Sequence, residues 1–235
     1  MINYFLFGGK SSRDFGVFLS GSGTYDAPER DVSLTEVPGR NGDLVFDNGR
    51  FKNVDLTYPA FLFRSFVENF SAFRNYLLSR KGYQRLEDTY HPDEYRMALF
   101  TGPLHPEIGS FLKEGNFEIK FNCMPQRFLK SGEEMQVFTK DGTIFNPTAF
   151  EAHPLIRVYG AGTLGLGGET ISVSSHTYPY IDIDCDVMDA FYGSSNANGY
   201  LTLKSERFPV LSPGKNGVTL TGFTKVEIVP RWWIL

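Results

Sequence analysis

The chain has little cysteine, no long apolar segment and no excess of positive charge. Its 235 residues include only Cys123 and Cys185, each in an apolar run, so we expect buried free thiols and no disulfide framework. No stretch approaches the roughly 18 consecutive apolar residues of a membrane span, so we expect no membrane insertion. The net charge of −4 argues against nucleic acid as the main partner, because phosphate binding needs a basic face.

Targeting and catalytic motifs are missing as well. The first residues lack a basic start followed by an apolar run, so we expect no signal peptide. No Gly-x-Ser-x-Gly, His-Glu-x-x-His or Cys-x-x-Cys occurs. The four histidines have no metal-ligand spacing: His91, His105, His153 and His176. We therefore predict that the protein is not an enzyme and has no cofactor and no metal site.

Two short patterns resemble ligand loops but fit a plainer interpretation better. Gly9-Lys10-Ser11 resembles the end of a phosphate-binding loop, yet Tyr4 stands where that loop needs its first glycine, which favours a tight turn. Asp182, Asp184 and Asp186 alternate as calcium ligands do, but Val187 replaces the turn glycine. A spacing of two also places the three carboxylates on one face of a strand, and we predict a solvated face.

The residues that are present favour a mainly β fold. Aromatic residues make up 15% of the chain, and 24 glycines and 13 prolines are available for turns. Apolar residues alternate in several short segments of the first half, which we predict to be strands: 2–6, 15–19, 32–37, 44–46, 54–61, 95–101 and 115–123. In the first of these, the alternating apolar residues are Ile2, Tyr4 and Leu6.

One helix is predicted over residues 65–81. Ser65 and Glu68 have the spacing of a capping box, and Gly82 can adopt the left-handed conformation that ends a helix. An apolar stripe at helical spacing follows the cap: Phe66, Val67, Phe70, Phe73 and Leu77. We expect this stripe to pack against the N-terminal sheet.

The chain is expected to form two domains. Residues 125–150 are the least regular stretch, and we place the junction near residue 135, giving domains 1–135 and 136–235. The second contains short apolar segments and no helical pattern: 155–159, 170–173, 180–185, 199–203, 218–221 and 225–230. This arrangement predicts a β-sandwich.

Two features are candidates for contacts with other chains. Pro38, Gly39, Arg40, Asn41 and Gly42 form a polar turn with one basic residue, and Asn41-Gly42 favours a type I′ hairpin. Near the C-terminus stand Trp232 and Trp233, and tryptophan often anchors interfaces. The alternatives are a solvated arginine at the turn and tryptophans that complete a core strand.

Val37-Pro38-Gly39-Arg40-Asn41-Gly42-Asp43-Leu44 resembles the Pro-Gly-Arg-(Asp/Asn)-Gly signature of the siphophage distal tail proteins, which are phage tail components of the baseplate hub. Further similar segments follow in the same order along nearly the whole chain: 82–88, 92–98, 121–125, 181–185, 208–216 and 230–233. The order and spacing of these segments together are more specific than any one of them.

The resemblance implies a structural protein of a bacteriophage or prophage. It implies an N-terminal β domain with one helix that forms a homohexameric ring, and a C-terminal galectin-like β-sandwich. Such a ring joins the tail tube protein to the tail-tip or tail-associated protein and can carry a receptor-binding protein. The implied location is the virion tail tip, after assembly in the cytoplasm of the host bacterium.

Two rival functions belong to other classes. A carbohydrate-binding module of a phage adhesion device would show exposed aromatic residues on its sandwich, although the sequence lacks the sugar-binding signatures of true galectins. A tail-associated hydrolase would need paired carboxylates or a metal set in a cleft. We favour the structural hub.

Overall fold

The computed structural model describes residues 2–23, 25–109 and 113–235. The described chain divides into two compact units, residues 2–127 and 128–234. This division lies between Arg127 and Phe128, upstream of the junction expected near residue 135. None of the helices in the described ranges is both long and apolar enough to cross a membrane.

The strands that begin in the first unit are β1 Phe5–Phe7, β2 Lys10–Ser11, β3 Val17–Leu19, β4 Arg30–Thr35, β5 Leu44–Phe51, β6 Val54–Phe63, β7 Gln84–Asp88, β8 Glu94–Leu99, β9 Glu107–Ile108 and β10 Glu114–Leu129. Helix α1 spans Phe66–Ser79, and a short 3-10 helix spans Ser12–Phe15. The main sheet has the order β2-β1-β7-β8-β10-β6-β3, and β9 pairs with β10.

The core of the first unit lies between this sheet and α1. Strand β10 pairs antiparallel with β6 from Glu114↔Phe63 to Cys123↔Val54. Phe117, Ile119 and Phe121 point into the core, which confirms the alternation predicted for this strand. The phase predicted for the first strand was wrong, because Phe5 and Phe7 are buried and Ile2 is exposed.

Helix α1 lies where the sequence predicted a helix, but its ends differ. Ser65 has a left-handed backbone and no side-chain cap, so the predicted capping box was wrong. The helix ends at Ser79, before Gly82 can act as its cap. The stripe is confirmed in the core cluster for four of its residues, Phe66, Phe70, Phe73 and Leu77. Val67 is exposed instead, and Tyr76 takes part in the core.

The second unit contains a β-sandwich, as predicted. Its strands are β11 Gln136–Phe138, β12 Gly142–Asn146, β13 Leu155–Tyr159, β14 Gly162–Leu166, β15 Glu169–Val173, β16 Ile181–Asp184, β17 Asp189–Tyr192, β18 Ser195–Asn196, β19 Leu201–Leu203, β20 Gly214–Thr221, β21 Lys225–Val229 and β22 Trp233–Ile234. Single-turn 3-10 helices span Lys130–Glu133 and Asn198–Tyr200.

Two antiparallel sheets enclose the core of the second unit. One has the order β11-β21-β13-β16-β17-β18 and the other β12-β20-β14-β15-β19. Both contribute to one apolar cluster, for example Ile156 and Ile183 from the first sheet and Leu164 and Val218 from the second. Two sheets that share one apolar interior define a sandwich.

Both cysteines are buried and free, as expected. Burial raises the pKa of the Cys123 and Cys185 thiols to about 12. Because the thiolate is the reactive form, neither side chain is suited to nucleophilic or redox chemistry at neutral pH.

Candidate assembly surface

Strands β4 and β5 form a separate two-stranded ribbon, which we call the hairpin arm (residues 30–51). Strand β5 continues through Asp47, Asn48 and Gly49 as a bulge, where the Gly49 amide donates to the Asp47 carboxylate at 2.8 Å. Cross-strand ion pairs support the ribbon and its base: Arg30–Asp47 at 2.8 Å, Arg50–Asp31 at 2.6 Å and Lys52–Glu29 at 3.2 Å. Solvent screens exposed pairs of this kind, so they add little to stability.

Apolar side chains on the hairpin arm are left in solvent. Leu34, Val45 and Phe46 are 61%, 58% and 55% exposed. Leu34 lies directly across from Val45 on one face, and Phe46 lies on the other. A lone two-stranded ribbon is only marginally stable in water, and clustered exposed apolar residues are typical of contact surfaces. The arm therefore has the character of a surface that another chain covers.

The turn predicted from the sequence lies at the tip of this arm. Pro38, Gly39, Arg40, Asn41 and Gly42 are all exposed in the loop 36–43 that joins β4 to β5. Gly39 and Gly42 have positive φ angles of 80° and 81°, whereas Asn41 does not. The expected type I′ turn was therefore wrong, because that turn needs positive φ at both central residues. Within the described chain the Arg40 guanidinium has no carboxylate partner.

The two tryptophans belong to the second unit. Trp232 is 3% exposed and belongs to the core of the sandwich, so its side chain contributes to folding. The ring of Trp233 is half-buried and stacks on Phe150 with 4.4 Å between the ring centres. Its indole nitrogen donates to the carbonyl of Glu151 at 2.8 Å. Both tryptophans were interface candidates in the sequence analysis, because a sequence alone does not distinguish a tryptophan that binds a partner chain from one that packs in a core.

The three alternating aspartates do not form a solvated face, so that prediction was wrong. Asp182 is only 6% exposed. Each carboxylate has its own cation or histidine: Asp182 with Arg157 at 2.7 Å, Asp184 with Arg231 at 2.7 Å and Asp186 with His153 at 3.3 Å. Because the three carboxylates bind different partners, they do not form a common binding site for an ion. The described residues contain no group of three acidic, histidine or cysteine side chains that could hold a metal.

The fork between Arg231 and Asp184 predicts acid sensitivity of the second unit. Burial alone would raise the pKa of Asp184, but hydrogen bonds from Arg231 at 2.7 and 2.8 Å and its charge outweigh burial and lower the pKa below its usual 3.8. A lowered pKa gives stability that is present at neutral pH and lost as the pH falls below about 4. Urea unfolding of Asp184→Asn should show a loss of about 1–2 kcal/mol at pH 7, because a charge-assisted hydrogen bond is weakened.

The difference between Asp184→Asn and the unmodified protein should shrink as the pH is lowered from 7 towards 3. The exposed Asp43→Asn is the matched control and should match the unmodified protein throughout. A constant difference at all pH values would contradict a role for the Asp184 charge.

A cleft of about 470 Å³ opens on the outer face of the first unit's sheet. It contains His105, Glu107, Glu118 and Lys120, all of which are exposed. In the described chain no hydrogen bond joins His105 to either glutamate, and the ammonium of Lys120 is 3.9 Å from Glu118. A general base needs a partner within hydrogen-bond distance that orients it, and a nucleophile within reach. The four side chains described in this cleft do not form such a set.

Known structures share this fold over the whole chain. The SPP1 Dit protein, described as a paradigm of the hub of the adsorption apparatus in phages that infect Gram-positive bacteria, matches with a TM-score of 0.78 at 12% identity, covering 100% of both chains. A chain of the phage P2 baseplate in its activated conformation matches with a TM-score of 0.57 at 12% identity, covering 97% of each chain. A second activated P2 baseplate, with strontium, gives 0.55 at 12% identity.

No protein-family model and no curated protein sequence matches the chain. At 12% identity, the structural likeness concerns the fold. The mainly β fold with one helix, expected from the resemblance to distal tail proteins, is thereby confirmed: the chain has the fold of a phage tail hub protein.

Proposed function

We propose that the protein is a structural distal tail protein of a bacteriophage or prophage, the hub of a baseplate. The observation that carries the proposal is the match to SPP1 Dit over the full length of both chains, with a TM-score of 0.78. A partial match would fit a shared domain in unrelated proteins. Agreement across both units, in one order along the chain, favours a shared role in a tail.

The hairpin arm supports self-association as the mode of action. A closed ring needs heterologous contacts, in which one surface of a subunit meets a different surface of its neighbour. An arm whose apolar side chains remain in solvent, such as Leu34 and Val45, is suited to lie on the next copy. We propose a hexamer, the number that the resemblance to distal tail proteins implies.

The partners of the ring follow from the same proposal. A hub at the tail tip would contact the tail tube protein on one side and the tail-tip or tail-associated protein on the other, and could carry a receptor-binding protein. Its location would be the distal end of the virion tail, after assembly in the host cytoplasm. None of these contacts requires catalysis.

The mass of the purified protein in solution tests the proposal. Light scattering at increasing concentration should give a mass of six copies of the 26.5 kDa chain, and electron micrographs should show rings. Because a tail tube can nucleate a hub, the same measurement should be made with tail tubes added. A monomer at high concentration that also fails to bind tubes would overturn the proposal.

Arg40 at the tip of the arm provides a sharper prediction. Its guanidinium offers five donors in a planar fork that fits a carboxylate or carbonyls of a neighbouring subunit. Arg40→Ala should leave the stability of the monomer within about 0.5 kcal/mol, because the side chain is exposed, and should reduce ring formation. Arg64→Ala, another exposed arginine of the same unit, is the control for loss of charge. If Arg40→Ala forms rings as the unmodified protein does, the Arg40 side chain is only solvated and does not join subunits.

A further inference from the structure

Aromatic rings cluster where several loops of the sandwich meet. The loop 174–180 joins β15 to β16, and residues 193–200 connect β17 to β19 through β18. The ring of Tyr192 is 5.1 Å from that of Tyr178 and 5.0 Å from that of Tyr180. Tyr200 and His176 extend the cluster, each within 6.2 Å of Tyr178. We call these five residues the tyrosine cluster.

The tyrosine cluster keeps unused hydrogen-bonding groups in partial contact with solvent. All five rings are partly exposed. In the described chain, the hydroxyls of Tyr178, Tyr180, Tyr192 and Tyr200 have no hydrogen-bond partner, whereas the hydroxyl of nearby Tyr159 donates to Glu227 at 3.0 Å. Four phenol groups, each able to donate and accept, are therefore available to a ligand.

The segments that carry the cluster contain no acidic or basic residue other than His176. They are Ser-Ser-His-Thr-Tyr-Pro-Tyr at 174–180 and Phe-Tyr-Gly-Ser-Ser-Asn-Ala-Asn-Gly-Tyr at 191–200. The chain as a whole carries 23 lysines and arginines and 27 aspartates and glutamates, so this neutrality is local. Tyrosine, serine, glycine and asparagine are the residues that recognition loops favour, because they combine rigid rings with adaptable hydrogen bonding.

The two cations that lie over tyrosine rings beside the cluster already have partners. Arg157 lies over the ring of Tyr180 at 4.0 Å, and its guanidinium is held by Asp182 through hydrogen bonds of 2.7 and 3.0 Å. Lys225 is 2.7 Å from Glu227. To bind an anionic ligand, Arg157 or Lys225 would have to leave its carboxylate partner. To bind a cationic ligand, Asp182 or Glu227 would have to leave its cation. The surroundings therefore favour a neutral ligand.

We propose that the tyrosine cluster binds neutral saccharides. The apolar C–H faces of a pyranose pack on aromatic rings, and its hydroxyls match the phenol and serine hydroxyls of the two segments. This inference stands apart from ring formation, because it uses residues of the second unit alone.

A saccharide array probed with the full-length protein tests this proposal. The array should carry neutral hexose and N-acetylhexosamine oligosaccharides together with phosphate-bearing glycerol phosphate polymers. We expect retention by neutral oligosaccharides and none by the phosphate polymers. Retention by phosphate polymers alone, or by no saccharide, would overturn the proposal, as would binding that is confined to other phage proteins.

The double variant Tyr180→Phe/Tyr192→Phe assigns the binding to this site. It removes two hydroxyls and keeps both rings, so the fold should be retained while binding to the retained oligosaccharide weakens about tenfold or more, the effect of two lost hydrogen bonds. Phe145→Ala, which removes an exposed ring from β12 in the other sheet, is the control and should bind normally. Unchanged binding by the double variant would overturn the site. Light scattering of the same samples reports ring formation separately.

Discussion

Replacing Phe73 by alanine should lower the free energy of unfolding by about 3–5 kcal/mol, as expected when a large aromatic side chain is removed from a core. Phe73 is 1% exposed and lies on the buried face of α1. Its ring is 5.7 Å from that of Phe15, 6.0 Å from that of Phe117 and 6.2 Å from that of Phe5. Removal of the ring leaves a cavity bounded by three other rings, which can relax only in part.

Val67→Ala on the same helix is the matched control, because Val67 is 52% exposed. It should change stability by less than about 0.5 kcal/mol. Urea unfolding followed by the fluorescence or circular dichroism of the first unit would measure both variants. Equal effects of the two changes would mean that the buried face of α1 has been assigned wrongly.

The position of α1 could be predicted from the sequence, whereas its first turn could not. Phenylalanines that recur at helical spacing lie on one side of a helix, and burial of that side stabilises the helix. The pattern therefore predicts where the helix lies in the sequence without knowledge of its surroundings. The capping box failed because β6 ends at Phe63 and α1 begins at Phe66, which leaves two residues for the connection. Arg64 and Ser65 meet that demand with positive φ angles of 82° and 46°, and a left-handed Ser65 does not cap with its side chain.

The phase of β1 shows a different limit of sequence patterns. Both alternating sets near the N-terminus are largely apolar, so alternation alone could not tell which set is buried. The structure selects Phe5 and Phe7, whose rings pack 5.4 and 4.9 Å from Phe121. That choice is made by a core contact with β10, a strand far away in the sequence, and not by the segment itself.

Strand β14 is not among the strands predicted from the sequence, because glycine is disfavoured in strands and two glycines lie within it. Gly162 and Gly165 lie instead within the antiparallel pairing of β14 with β15, and Gly165 also pairs with Thr219 of β20. A Cβ atom at Gly162 would collide with the backbone carbonyl of Thr221, and one at Gly165 with the side chain of Thr219. Glycine is therefore required there by the close approach of the neighbouring strand, which a single sequence does not reveal.

The candidate surface could likewise be predicted only in part. Gly39 and Gly42 are favoured in the turn because glycine adopts positive φ angles without strain. This preference is local, so the tip of the hairpin arm could be predicted from the sequence. The apolar residues of β4 and β5 were not identified as a contact surface, because alternation looks the same in a core strand and in an arm. The sheet topology distinguishes the two cases: within the described residues, β4 pairs with β5 and with no other strand.

The double variant Leu34→Thr/Val45→Thr should abolish the proposed ring while leaving the monomer folded. Both residues are exposed and lie opposite each other, and threonine keeps the preference for strand conformation. Burial of one such aliphatic side chain contributes about 1.5–3 kcal/mol, so loss of two should weaken each contact between subunits more than about 100-fold. Light scattering at a fixed concentration would show the shift from the large species to the monomer.

Val187→Thr makes the same chemical change at a residue of the second unit that is 63% exposed, so it controls for a general effect of added polarity. Its particles should match those of the unmodified protein. The melting temperature of the double variant, measured at a concentration where both proteins are monomeric, should be unchanged because neither side chain belongs to a core. If the double variant still forms complete rings, the hairpin arm does not join the subunits. A lower melting temperature would instead mean that Leu34 and Val45 stabilise the ribbon itself, and a loss of rings would then reflect an unfolded arm instead of a lost contact.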